Sequence, residues 1–320
     1  MDPLSELLSL LRPRSTISAG FDMGGAWSIQ FGGQHKQIKC YVILSGGCWL
    51  AVDGIETVMR LEQGDCFVMP SGRLFRLASD LALPPVAAST IFFGARAGAV
   101  VTVNGGGNFS LVGSRFAVGG KHADMLLGLL PPIVHLRRES DQAALRWSVD
   151  RMMQELRDGQ PGAVLIAQDL AHMVLVYALR VHLAESLGQG TGWFFALADK
   201  RLSLAIAAMH ADPARRWTLR ELAERAGMSR SIFALRFKEV VGETPMQYVS
   251  RWRMLLACDR LENAGDPVSI IADALGYESE SSFSTAFRRV MGCSPRQHFR
   301  EGHDRHRKTV GTPSPDPAIG

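Results

Sequence analysis

The sequence predicts an α+β chain in two parts: a β-barrel with an attached helical segment, then an all-α domain built from two copies of one unit. Three observations lead there. Residues 21–118 consist of short β-rich runs punctuated by Gly, Pro and Asp. Residues 121–187 switch to a helical period, and residues 218–299 repeat themselves. A chain of 320 residues has enough material for two domains, each with its own core.

Asp2 is placed to cap a first helix with Pro3 at its first position, and Leu4, Leu7, Leu8 and Leu11 form one stripe. The barrel runs follow as CYVIL (40–44), CWLAV (48–52), TVMRLE (57–62) and CFVM (66–69), separated by turn residues. Short strands at this spacing indicate a sandwich or barrel. Residues 81–89, with Pro84-Pro85, and the small apolar stretch 94–107 read as loops. The glycines at 105–107 lack the GK[ST] that completes a phosphate loop.

Residues 124–130, 141–157 and 161–186 read as helices. The last is apolar nearly all round, through Ile166, Leu170, Met173, Val174, Tyr177 and Val181. Such a helix is buried in its own chain or pairs with another. If it pairs, Val174→Asp is expected to weaken association. Residues 188–192 read as a linker, 303–308 as a basic tail and 312–320 as a disordered Pro-rich end. The domains are therefore expected at 1–187 and 199–302.

Sliding residues 229–245 by 50 places Ser229, Ser231, Phe233, Phe237, Val240, Gly242 and Pro245 on identical residues, seven matches in seventeen positions. Such self-similarity sets the architecture. Thr218 with Glu221 forms a capping box, Gly227 permits a left-handed turn, and Ser229 caps a second helix. Two short helices across a glycine turn are the grammar of a helix-turn-helix, whose second helix enters the major groove. The connecting helix, about 245–263, spans roughly 28 Å at 1.5 Å per residue. That is close to the ~34 Å between successive major grooves on one face of DNA.

Charge follows the repeat. Residues 199–310 hold 19 Lys and Arg against 14 Asp and Glu, a net of +5; the whole chain carries +4, so the remainder is −1. Phosphate contact requires this bias. Five cysteines at unpaired spacings, Asp2 and Glu6 at the start, and no 18-residue apolar stretch lead to the expectation of a cytoplasmic protein with reduced thiols and no membrane segment.

The segments LAERAGMSRSIFALRFKEVVGETPMQYVSRWRM and IIADALGYESESSFSTAFRRVMGCSP resemble the C-terminal domain of the AraC/XylS family of bacterial transcription regulators. The resemblance implies a DNA-binding domain of seven helices acting on double-stranded promoter DNA, with RNA polymerase as a further partner. VILSGGCWLAVDG and LEQGDCFVMPSG look like the two conserved regions of a cupin barrel, the sensor module of many such regulators. It implies a small-molecule effector and a homodimer formed through the helices after the barrel. The predicted pocket lining is Cys40, Val42, Trp49, Phe67, Met69 and Phe75.

A cupin raises the alternative of a metalloenzyme fused to a DNA-binding domain. Metal-binding cupins present three His and a Glu, but His35 is the sole His in 21–118; Cys40, Ser71 and Phe75 stand where relatives often place His. The expectation is therefore a barrel with no metal, no cofactor and no catalytic residues. A third alternative is a protein-contact adaptor without DNA binding.

In the first reading helix Phe233, Phe237 and Val240 define the inward face, leaving Ser231, Ala234, Leu235 and Lys238 outward with Arg230 at the N-terminus. In the second, Phe283, Phe287 and Val290 face inward. Ser281, Ser284, Thr285 and Arg288 face outward, with Glu280 at the start. Ala234 and Leu235 suit thymine methyls, Ser and Thr either base type, and Glu280 cytosine N4. Lys238 and Arg288 are assigned mainly to phosphates. Arg289 and Arg236, on the flanks, suit phosphate or intraprotein contacts.

Overall fold

Side-chain alternation along eleven short strands among the described residues separates a core face from an outer face and builds two sheets. The protein is seen here in a computed structural model that describes residues 2–32, 37–70, 72–95, 99–118, 123–137, 143–185 and 190–300. His35, Ser71, residues 188–189 of the expected linker and the tail 303–320 lie outside the described residues. The strands are β1 (Arg14–Met23), β2 (Ser28–Phe31), β3 (Gln37–Ser45), β4 (Gly47–Val52), β5 (Met59–Glu62), β6 (Cys66–Met69), β7 (Phe75–Ala78), β8 (Val86–Ala87), β9 (Val100–Val103), β10 (Phe109–Ala117) and β11 (Val134–Leu136). One sheet runs β11-β6-β3-β10-β1-β9, the other β5-β4-β7-β2-β8. Their inner faces share one core that includes Phe21, Phe31, Tyr41, Phe67, Phe75 and Phe92.

The β region is larger than the sequence suggests. β1 starts at Arg14 instead of near 21. The expected loop 94–107 contains β9, which pairs in parallel with β1; the expected loop 81–89 contains β8 and the start of α2 (Ala88–Ile91). β11 pairs with β6 and has no counterpart in the sequence reading. These are short edge strands among Gly and Pro, where turn residues outweigh a two- to four-residue β signal.

The helices α3 (Ala123–Leu127), α4 (Ala143–Asp158) and α5 (Ala163–Glu185) follow. Ser15 Oγ donates to the Gln168 carbonyl at 2.9 Å and Phe116 meets His172 edge-on, so α5 lies against the outer face of the six-stranded sheet. Val174 is 2% exposed. By length and composition α5 is apolar enough to cross a membrane, contrary to the expectation that no such stretch occurs.

Two compact units result. Pro13–Val118 and Pro131–His182 form one; Met1–Arg12 and Gly119–Leu130 join the segment beginning at Leu183 in the other. The first helix α1 (Pro3–Leu11), capped by Asp2 as its sequence indicates, thus belongs with the C-terminal helices instead of with the barrel. The reason is long-range pairing that chain order does not disclose. Glu6 accepts from His210 Nδ1 at 2.7 Å, and Arg12 pairs with Asp259 at 3.1 Å. The His210 ring stacks on Trp252 at 3.7 Å and its Nε2 lies 2.5 Å from the Tyr248 hydroxyl, which also accepts from Trp193 Nε1. Burial holds His210 below its usual value, so the neutral ring donates to Glu6 and accepts from Tyr248.

The C-terminal helices are α6 (Trp193–Ala196), α7 (Leu202–Ala211), α8 (Leu219–Arg225), α9 (Arg230–Val241), α10 (Pro245–Asp259), α11 (Val268–Ala274) and α12 (Glu280–Met291). α10 widens to i→i+5 bonding over Arg260–Ala264, closed by Gly265 N–H to the Arg260 carbonyl. Residues 295–300 are helical, capped by Ser294.

Candidate DNA-reading surface and barrel interior

Each helix pair is set by local chemistry. Thr218 Oγ1 accepts from Glu221 N–H at 3.2 Å while Glu221 accepts from Thr218 N–H at 2.8 Å, the reciprocal box that starts α8. Gly227 turns the chain at φ +61° and Gly276 does so in the second copy at +75°. Ser229 and Ser279 then cap α9 and α12. From these caps the burial pattern runs in parallel. Phe233 and Phe237 are buried in α9, Phe283 and Phe287 in α12, and exposure matches position for position over 231–240 and 281–290 except at Arg236 and Ala286.

On α9 the structure leaves Arg230, Ser231, Leu235 and Lys238 exposed and Ala234 half-buried. On α12 Glu280, Ser281, Thr285, Arg288 and Arg289 are exposed and Ser284 is half-buried. Ser281, Ser284, Thr285, Arg288 and Arg289 line one concavity of about 450 Å³. Thr285 Oγ1 donates to the Ser281 carbonyl at 3.0 Å, which leaves its lone pairs and methyl facing out. Glu280 lies 3.7 Å from Arg296, so a base would compete with that guanidinium for it. Arg236 makes a two-nitrogen contact to Asp199, an intraprotein role. Sequence reasoning missed Ile232, which is 60% exposed beside Leu235 at 62%. Its i+3 spacing to Leu235 was the available signal.

The barrel residues divide differently from expectation. The β3–β6 register sets Tyr41 opposite Phe67 and Lys39 opposite Met69, while Cys40 faces Val68 and Val42 faces Cys66. Tyr41, Ile43, Phe67, Met69 and Phe75 belong to the core between the sheets; Cys40 and Val42 point to the opposite face. The expected lining was therefore one residue out of register on β3, which exchanges the two faces. Trp49 is also not interior: it is 37% exposed, with the Arg60 guanidinium 5.3 Å from its ring, while Cys48, Leu50 and Val52 face the core. Gly113 permits this packing, because a Cβ there would lie 2.5 Å from the Tyr41 ring.

A polar cleft of about 770 Å³ opens between the edge strands β5 and β11, with Asp65 and His135 paired at 3.0 Å in its wall. It was not anticipated because β11 was not. Among the described residues no group of three or more His, Cys, Asp and Glu is arranged to hold a metal ion.

Comparison with known proteins adds to this geometry. A family described as Cupin matches residues 2–184, and one described as a helix-turn-helix domain matches residues 222–301. A putative AraC-like transcription regulator of Streptomyces lividans is 38% identical over 296 residues, 92% of this chain and 97% of its own length. The transcriptional regulator AlkR of Acinetobacter baylyi is 29% identical, with 94% and 99% covered. The DNA-binding domain of AdpA, solved with a target DNA, is 30% identical over 32% of this chain and 91% of its own, with a TM-score of 0.30.

Proposed function

The chain belongs to the AraC-like transcription regulators, and from that premise we propose that a single chain reads two adjacent major-groove segments, one with α9 and one with α12. The observation that carries this reading is the shared burial pattern: two helices 50 residues apart present matching outward positions. Base contact falls to Ser231, Ala234 and Leu235 in the first copy and to Ser281, Ser284 and Thr285 in the second. Lys238, Arg288 and Arg289 hold phosphates. Selection from a randomised duplex library tests it: two half-sites about one helical turn apart are expected. A single enriched half-site, or none, would sink the reading.

The barrel acts in this proposal as a small-molecule sensor and not as an enzyme, with RNA polymerase the partner of the promoter-bound regulator in the cytoplasm. His35 is the sole His in residues 21–118, short of the three His that metal-binding cupins present, which supports a binding role. A second copy of the chain covers the outer face of α5, where Val164, Leu165 and Ile166 lie exposed, Leu165 at 68%. Val174, already buried in the single chain, is the wrong probe of that interface; Leu165→Asp is the right one. Sedimentation at micromolar concentration should show a wild-type dimer and a Leu165→Asp monomer, and a monomeric wild type would refute the pairing.

A further inference from the structure

The register of β3 and β10 sets Lys39 directly opposite Arg115, with Tyr41 opposite Gly113 and Ile43 opposite Leu111 along the same face. Tyr41, Ile43 and Leu111 belong to the inter-sheet core, so both cations are carried on its inner face. Like charges directly opposed across an antiparallel ladder repel. Here the repulsion is sharpened by burial, since Lys39 is 1% exposed. Its ammonium has three donors to satisfy but makes one long hydrogen bond, 3.4 Å to the Gly32 carbonyl, with the Phe75 and Phe31 ring centroids 5.2 and 5.9 Å away. Arg115 Nε is buried without a hydrogen-bond partner, and so is the Gln37 side-chain oxygen two residues before Lys39 on the same face. Burial, with Arg115 adding to it, lowers Lys39 to about 8, and among the described residues no carboxylate acts in the opposite sense. A buried charge without a counter-ion is among the most costly arrangements a fold can retain.

We propose that Gln37, Lys39 and Arg115 form the binding site of a small organic carboxylate, which supplies the negative charge that the described residues around them lack. The inference rests on the reading of the barrel as a sensor and names the chemical class it senses. Gly32, Gln37 and Arg115 are half-buried, so solvent reaches part of this cluster. Lys39 and the Arg115 guanidinium supply charge-assisted donors for the two carboxylate oxygens. The flanking Phe31 and Phe75 rings favour an acid with an apolar body over a fully hydrated inorganic anion.

The test uses the full chain, with butyrate, butan-1-ol and inorganic phosphate as probes in thermal-shift and calorimetric titrations. Butyrate is expected to raise the melting temperature saturably and to bind with one site per chain; butan-1-ol, with the same carbon skeleton, is expected to do neither. Lys39→Met, which keeps the stem and removes a buried charge, should fold and lose the butyrate response. Arg115→Met should lose it independently, and Lys39→Arg should retain part of it. Equal responses to butyrate and butan-1-ol, or a butyrate response that survives both Met variants, would overturn the site. Phosphate matching butyrate with the same dependence on Lys39 and Arg115 would overturn the carboxylate class. DNA affinity measured on the same samples separates the two readings. Butyrate bound through Lys39 and Arg115 with unchanged DNA affinity leaves the site standing and removes the sensor role.

Discussion

In α9 Phe233 and Phe237 are fully buried with ring centroids 5.5 Å apart; in α12 Phe283 and Phe287 are buried at 5.7 Å. The exposed faces of the same two helices share little. Ile232, Leu235 and Glu239 on α9 correspond to Ser282, Thr285 and Arg289 on α12. The first copy offers the apolar Ile232 and Leu235 beside Arg230, Ser231 and Lys238, the second three hydroxyl residues and two arginines. Packing fixes the inward residues of a repeated unit, while the outward ones are free to specialise. We infer that α9 reads thymine methyls while α12 holds the backbone and reads by hydrogen bonds.

The equivalence of the buried faces is tested by the largest effect. Phe233→Ala and Phe283→Ala should each cost about 3–5 kcal/mol in stability, by lost transfer energy and the cavity left behind. Denaturant titration giving values that differ by more than about 1.5 kcal/mol would show that the two copies are packed unequally.

The turns break the equivalence in a predictable direction. Both glycines have positive φ, but a Cβ on Gly227 meets nothing within 4 Å, whereas one on Gly276 would lie 1.9 Å from the Ala214 carbonyl oxygen. Gly227→Ala should cost only the left-handed strain, about 1–2 kcal/mol. Gly276→Ala must also displace backbone, so it should cost more and shift amide resonances around Ala214. Equal costs would remove the steric asymmetry.

The exposed faces are separated by binding to a randomised site library at several salt concentrations. Leu235→Ser and Thr285→Ala should each relax preference at one base pair in their own half-site, by about 1–3 kcal/mol, with the salt slope unchanged. Arg288→Ala should weaken binding to all sequences alike and lower the slope by about one unit, as should Lys238→Ala. A changed base preference with an unchanged slope in Arg288→Ala would reverse the roles assigned along α12.

The repeat was legible because its determinants are local: caps, a turn glycine and phenylalanines four apart. The barrel was legible as strands but not as faces. CYVIL is apolar at every position, and α5 buries the outer side of the sheet that contains it, so alternation gave no sign of which residues point inward. That is why Cys40 and Val42 replaced Tyr41 and Ile43 in the expected lining. Lys39, just before this run, signals the opposite, since a lysine ordinarily points to solvent, whereas here it lies buried on the inner face. The docking of α1 on α7 was hidden for another reason: the Glu6–His210 pair joins residues 204 positions apart.

The smallest expected effect concerns how the two units begin. α8 opens with the Thr218–Glu221 box, whereas the equivalent position before α11 is Pro267, with no side-chain cap bond. The hydrogen bond from Arg215, followed by those from Thr218, holds the Glu221 carboxyl down to about 2. A carboxyl lowered on folding contributes fully above its unfolded value, 4.5, and loses that contribution as pH falls through its folded value. The pair is solvent-exposed, so salt should weaken the effect. Acidification from about pH 5 to about pH 2.5 should therefore speed amide exchange in the first turn of α8 relative to the first turn of α11. Thr218→Ala removes one half of the box at a cost of about 1 kcal/mol and should diminish the acid-dependent difference between the two helices. Acid sensitivity that is equal in both helices in the wild type would mean that the first copy gains nothing from its box, and that the two units start alike despite their different residues.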